Sequence, residues 1–151
     1  MVAALALTGL LTSGCGNPSP AQPETSATSA SVADETSLGT LIEAENAAIY
    51  AYGVIGAHLT GPSRARALAA LKAHRQLRDA WISAAQAEEI QVPPAAIAYD
   101  LPINVQGPAT AEALSIEIEE RLIAAYEAAG EIAAPALAKA RDRLQKITVS
   151  Q

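Results

Sequence analysis

Along the chain, apolar residues recur every three or four positions in four separate stretches, the period of helices that bury one face. The first predicted helix covers about Leu38 to His58. Its stripe is Leu41, Ile42, Glu45, Ile49, Tyr52 and Ile55, with Ser37 as a cap and Gly61-Pro62 as a stop. The second follows Pro62 to about Ile90 and aligns Leu68, Leu71, His74, Arg78, Trp81 and Ala85. The third runs from about Thr110, which can cap it, to Gly130, with Ile116, Glu119 or Glu120, Ile123 and Tyr126 on one face. The fourth runs from about Ile132 to Ile147 along Leu137, Ala140, Leu144 and Ile147, and Pro135 falls in its first turn, where proline is tolerated.

Between the second and third stretches, the proline-rich VPPAAIAYDLPINVQGP (Val92 to Pro108) cannot be helical. A connection this long inside a small domain is functional or crosses between distant elements. With short links elsewhere, the pattern predicts an all-α, ferritin-like four-helix bundle over residues 38–148, with a long crossover between helices 2 and 3. Composition agrees. The chain of 151 residues is 50% hydrophobic but only 3% aromatic, with no Phe, and its apolar content is dominated by Ala, Leu and Ile, which favours close helix packing over a sheet.

Upstream the pattern changes character. In LLTSGCG (Leu10 to Gly16) an apolar run ends in small residues directly before Cys15, the lone cysteine, and this resembles a bacterial lipobox, a signal in which the Cys becomes the lipidated N-terminus. The run is shorter than the roughly 20 apolar residues needed to span a bilayer, so residues 1–15 read as a lipoprotein signal peptide. Met1 to Thr12 holds no Lys or Arg, a departure that points to a misplaced start or a truncated leader. Residues 16–37, rich in Pro, Ser, Thr and Ala, read as a disordered spacer with nothing to bury. A flexible tether of that length spans about 25 Å and would hold a domain clear of a membrane surface. The expected location is the extracytoplasmic face of the cell membrane.

Charge narrows the partners. A net charge of −6 argues against a nucleic-acid partner, which needs clustered Lys and Arg. All ten basic residues lie at or after Arg64, while Gln86 to Glu131 is acid-rich, so helices two and three offer complementary surfaces and a homodimer is expected. No nucleophile–base arrangement stands out around Ser83 or Ser115, and there is no glycine-rich phosphate loop. The chain therefore reads as a binding or structural module with an unidentified protein or small-molecule partner, not as an enzyme.

Four pieces occurring in order carry a resemblance: AENAAIYAYG (Ala44 to Gly53), AHRQLRD (Ala73 to Asp79), AAIAYDLP (Ala95 to Pro102) and EERLIAAY (Glu119 to Tyr126). Across about Leu38 to Lys146 the chain resembles the ferritin-like domain family of unknown function found in bacterial envelope lipoproteins. The resemblance implies a ferritin-like bundle on a lipid anchor and brings no established reaction.

Di-iron proteins of that fold place a Glu on each of two helices and Glu-x-x-His on the other two. Here Leu71 stands three residues before His74 and Ile55 three before His58, and the fourth helix offers only Asp142 as an acid, so half the ligands are missing. The leading expectation is a buried polar cluster in which Glu45 and Glu119 or Glu120 pair with His74, Arg75 or Arg78, since buried charges need partners. No metal or other cofactor is expected. The alternative is a mononuclear or redox site for one Fe, Mn or Zn ion held by Glu45, His74 and Glu119 or Glu120.

The remaining candidates have simpler readings. His58 sits at a helix C-terminus, where the dipole favours a cation, and Arg75 and Asp79 form an i,i+4 pair. Tyr50, Tyr52 and Tyr126 are core or rim residues with satisfied hydroxyls. A ligand pocket beneath the crossover would be lined by Tyr52, Tyr99, Leu101 and Tyr126, with Pro102 beside them.

Overall fold

The computed structural model describes residues 25–92 and 94–149, with side chains described from residue 37 onward. Within them the protein is all-helical, with no strands. Four α-helices follow in order: α1 (Thr25–His58), α2 (Gly61–Ala87), α3 (Pro108–Ala129) and α4 (Ala134–Thr148), with a 3-10 turn at Gly130–Ala133 before α4. The expected signal peptide and Cys15 lie outside the described residues.

Side-chain pairings fix the directions of the helices. Residues 38 and 42 of α1 cluster with Ala85 of α2, and Glu45 meets His74, so α1 and α2 are antiparallel. Glu45 bonds Tyr126 and Tyr52 bonds Glu119, so α1 and α3 are antiparallel too. α2 and α3 are therefore parallel, and only the long connection from residue 88 to 107 can join them, because it must return the chain to the end where it began. The described part of that connection straps the core: Leu101, Ile103 and Val105 pack inward at alternate positions, while Ile97 is fully exposed. α1 packs on α2 and α3, and α3 packs on α4.

α1 begins at Thr25, well before the expected start at Leu38, so part of the predicted spacer is helical. The last upstream proline is Pro23, and Ala-bearing sequence beyond it adds turns at little cost once the packed segment has nucleated the helix. α2 ends at Ala87 and not at Ile90, because Glu89 adopts φ 57°. The Ile90 amide then donates to Ala85 O (2.8 Å) and the Glu89 amide to Gln86 O (3.2 Å), a Schellman stop built without the usual glycine.

α3 begins at Pro108, with Gly107 as its cap residue. Thr110 works from inside the first turn, its Oγ1 accepting from the backbone amides of Gln106 (2.9 Å) and Gly107 (3.1 Å). Gly130, at φ 67°, takes the left-handed conformation that ends α3 and lets the 3-10 turn precede α4.

Two predicted stripes are rotated. Leu68 lies over Gly56 and is 48% exposed, while Ala67 takes the core position on α2. On α3, Ile116 and Ile123 are only half-buried, and Leu114, Ile118 and Leu122 form the core. In alanine-rich helices the small residues leave the apolar stripe broad, so a shift of one position costs little in pattern.

Candidate functional site

Three charged or titratable side chains from three helices are fully buried and meet at mid-height: Glu45 of α1, His74 of α2 and Glu119 of α3. His74 lies between the two acids. Its Nδ1 is 2.9 Å from Glu45 Oε2 and its Nε2 is 3.3 Å from Glu119 Oε1. Each acid has a second, phenolic donor: Tyr52 donates to Glu119 Oε1 at 2.8 Å, and Tyr126 donates to Glu45 Oε1 in a short bond. Arg143 of α4 completes the group, its Nε donating to Glu119 Oε1 at 2.8 Å. The Tyr52 ring also stacks on the imidazole at 5.0 Å between centroids.

The electrostatics follow from this closure. Burial disfavours a charged imidazole, but hydrogen bonds to Glu119 and Glu45, together with their charges, outweigh it and hold the His74 pKa above 6.5. Burial would raise Glu119, yet its bonds to His74 and Arg143 prevail and its pKa is lowered. Arg143, for its part, is raised by Glu119 against the effect of burial. Burial, reinforced by the neighbouring carboxylates, pushes the Tyr52 and Tyr126 hydroxyls far above the usual phenol range, so both remain donors.

The donor set does not fit a metal ion. Both imidazole nitrogens face carboxylate oxygens on opposite sides of the ring, so one ion could reach only one nitrogen and the acid on that side. Arg143, bonded to Glu119, would repel a cation there. Among the described residues no group of three or more His, Cys, Asp or Glu side chains is arranged to hold a metal.

Other expected members lie elsewhere. Glu120 and Arg75 are exposed, one position away from the buried face. Arg78 is half-buried and bonds its neighbour Asp79, from Nε at 3.0 Å and from Nη2 at 2.7 Å, so Asp79 pairs with Arg78 instead of Arg75. The arginine that reaches the buried acids comes from α4, not α2. Ala136, Ala140, Arg143 and Ile147 fall at helical spacing, which places Arg143 on the inner face of α4, but an arginine is not among the residue types of a di-iron ligand set.

The expected pocket lining divides in two. Tyr99 and Leu101 border a cavity of about 190 Å³ under the crossover, with Ala44, Ala48, Ile118 and Leu122. The Tyr99 hydroxyl accepts from the Ala96 amide (3.2 Å) and donates to Glu43 (3.4 Å), and its ring tilts against Tyr50. Tyr52 and Tyr126 are not part of that lining, because their hydroxyls turn inward to the buried acids. A larger cavity of about 300 Å³ opens instead between α2 and α4, where Tyr52 and Arg143 line its inner end.

Among solved structures, the chain is similar to a conserved hypothetical protein, rv2844, from Mycobacterium tuberculosis. The two are 28% identical with a TM-score of 0.75, over 80% of this chain and 98% of that one. No curated protein matches the chain. A family model described as a domain of unknown function, DUF4439, matches residues 37–149, which begin just before the buried stripe of α1 and end just past α4. The chain therefore belongs to the DUF4439 family.

Proposed function

We propose that this protein is a non-enzymatic binding or structural module of the cell envelope, held by a lipid on Cys15 at the extracytoplasmic face of the membrane. Its helices adopt a ferritin-like arrangement whose centre is closed by an ion-pair network. The antiparallel α1–α2 and α1–α3 pairs and the single long crossover support that arrangement. The observation that carries the non-catalytic reading is His74 itself. Both of its nitrogens are engaged by buried carboxylates, and both phenols are consumed as donors to the same acids, so neither imidazole nitrogen is open to a substrate.

Protein purified without chelator or nickel resin is the test. Elemental analysis is expected to find no stoichiometric iron, manganese or zinc, and a metal at one equivalent that disappears in His74→Ala would overturn the reading. Anchoring has its own check: Cys15→Ser is expected to move the protein out of the membrane fraction, and unchanged fractionation would remove the anchor. Among the described residues no helix is long and apolar enough to cross a membrane. A homodimer is the expected assembly, and light scattering of a monomer at high concentration would rule it out.

A further inference from the structure

Acids and bases are divided unevenly over the bundle. Between Glu45 and Asp79 the chain carries no acid, while Arg64, Arg66, Lys72, Arg75 and Arg78 all fall there, in a protein whose net charge is −6. Arg64, Leu68, Lys72 and Arg75 follow one another on α2 at helical spacing, so they share one face and extend over about 16 Å. All four are exposed. That face looks past α1 and not into the α2–α4 groove: Leu68 lies over Gly56 of α1, and neither the groove nor the cavity under the crossover is bordered by Arg64, Lys72 or Arg75.

Stability does not explain these cations. Among the described residues the side chains of Arg64, Lys72 and Arg75 make no hydrogen bond or ion pair, unlike those of Arg78, Arg121 and Arg141. Arg64 stands in the first turn of α2, where the helix dipole disfavours a cation, and Lys72 and Arg75, three residues apart, repel each other. The neighbouring surface is flat, because Gly53 and Gly56 give α1 no side chain at those positions. Leu68, 48% exposed, is thus an apolar residue in the middle of a flat cationic face.

We propose that this α1–α2 face docks on an anionic membrane surface, with Arg64, Lys72 and Arg75 on lipid phosphates and Leu68 entering the headgroup layer between them. Cations spread along a stripe match a plane of phosphates, whereas a single small anion would need them to converge. Each Lys or Arg near such a surface strengthens binding about fivefold, so three together give about a hundredfold. The acids of α3 lie in the layer behind α1, about a helix diameter away, which is about one screening length at 0.1 M salt, so the local positive face decides the contact despite the net charge. The inference deepens the envelope reading and rests on it for orientation only: a lipid on Cys15 would bring this face to the membrane, but the contact itself needs no anchor.

The test sediments the full chain carrying Cys15→Ser, which cannot be lipidated, with vesicles of phosphatidylcholine alone or mixed with an equal share of phosphatidylglycerol. Binding at least about tenfold tighter to the phosphatidylglycerol vesicles is expected, and it should weaken steeply as salt rises from about 0.1 M to about 0.5 M. The neutral vesicles report any contribution of the apolar residues near the N-terminus, which hold no Lys or Arg from Met1 to Thr12. Lys72→Glu is expected to weaken binding by at least about fivefold while the thermal midpoint holds, whereas Lys139→Glu, the same charge change at an exposed position of α4, should alter it less than about twofold. Because the chain tested has no anchor, this result is separate from that of the fractionation test. Equal binding to both vesicles, or equal losses from the two lysine variants, would overturn the proposal. So would a dimer in light scattering that Lys72→Glu dissociates, which would assign the face to a second copy, or tighter binding of soluble polyglutamate than of the vesicles, which would assign it to an acidic polypeptide.

Discussion

The two interiors of this protein are built from opposite materials. The centre where α1, α2 and α3 meet holds two carboxyl groups, an imidazole, two phenols and a guanidinium, and almost every polar atom there is matched. The α2–α4 groove beside it is walled mainly by apolar side chains around empty volume, with Arg66, Lys146 and Glu112 at its border. Arg143 belongs to both, and the two unmatched atoms of the network, Glu119 Oε2 and Arg143 Nη2, belong to the residues on that border. The difference teaches where each region is vulnerable. A closed polar network is costly to open because every member relies on its partners, whereas an under-filled apolar seam tolerates added volume.

The largest expected effect comes from breaking the centre at His74. His74→Leu leaves Glu45 and Glu119 without the cation between them, and losing one partner of a buried ion pair typically costs about 3–5 kcal/mol. A drop in the thermal midpoint of roughly 10 °C or more is expected for a domain of this size. The double variant Glu45→Leu with His74→Leu should recover part of that loss, because the surviving charges, Glu119 and Arg143, are already paired. Strictly additive losses in calorimetry would show that the two residues do not act as a pair.

Next is Arg143→Leu, which deprives Glu119 of its charged donor and should cost about 1.5–3 kcal/mol, whereas Arg66→Ala at the exposed rim should change the midpoint hardly at all. Equal effects from the two arginines in denaturant titration would erase the distinction between network and rim.

A pH series sharpens the same contrast. His74 has a raised pKa when folded, so its contribution is complete below the unfolded value of 6.5 and is lost as pH rises through the folded value. Glu119 has a lowered pKa, so its contribution is complete above the unfolded value of 4.5 and is lost as pH falls through the folded value. The thermal midpoint should therefore be highest between about 4.5 and 6.5 and decline above that window, and His74→Gln should flatten the alkaline decline. A parent curve that is flat from pH 6 to 9 would contradict a raised His74 pKa.

Smaller effects come from the phenols and the groove. Tyr52→Phe and Tyr126→Phe each remove one donor from a buried carboxylate and should cost about 1–3 kcal/mol, read from urea unfolding. Alanine enlargement separates the packed core from the groove. Ala51→Leu, at a fully buried position on α1, should destabilise by about 1–3 kcal/mol through overpacking, while Ala70→Leu in the groove should be near neutral. If both variants lose stability alike, the seam between α2 and α4 is packed in solution.

The sequence by itself determined the helical class, the long crossover and two polar residues of the centre, Glu45 and His74, because these follow from local rules. Apolar period marks the buried face, prolines forbid helix through Val92 to Pro108, and Glu45 and His74 sit on mainly apolar stripes. Boundaries that depend on unusual backbone were beyond it: Glu89 in the left-handed region carries no glycine to signal the end of α2. Glu119 and Glu120 are adjacent on α3, and nothing local separates them. The choice is made by where Tyr52, His74 and Arg143 stand on three other helices, since burying a carboxylate is tolerable only where donors already converge. The role of Arg143 and the open seam beside it were likewise decided by tertiary structure. A cation becomes the partner of a buried acid, and a row of alanines becomes a channel, only when helices distant in sequence are set at particular heights and separations.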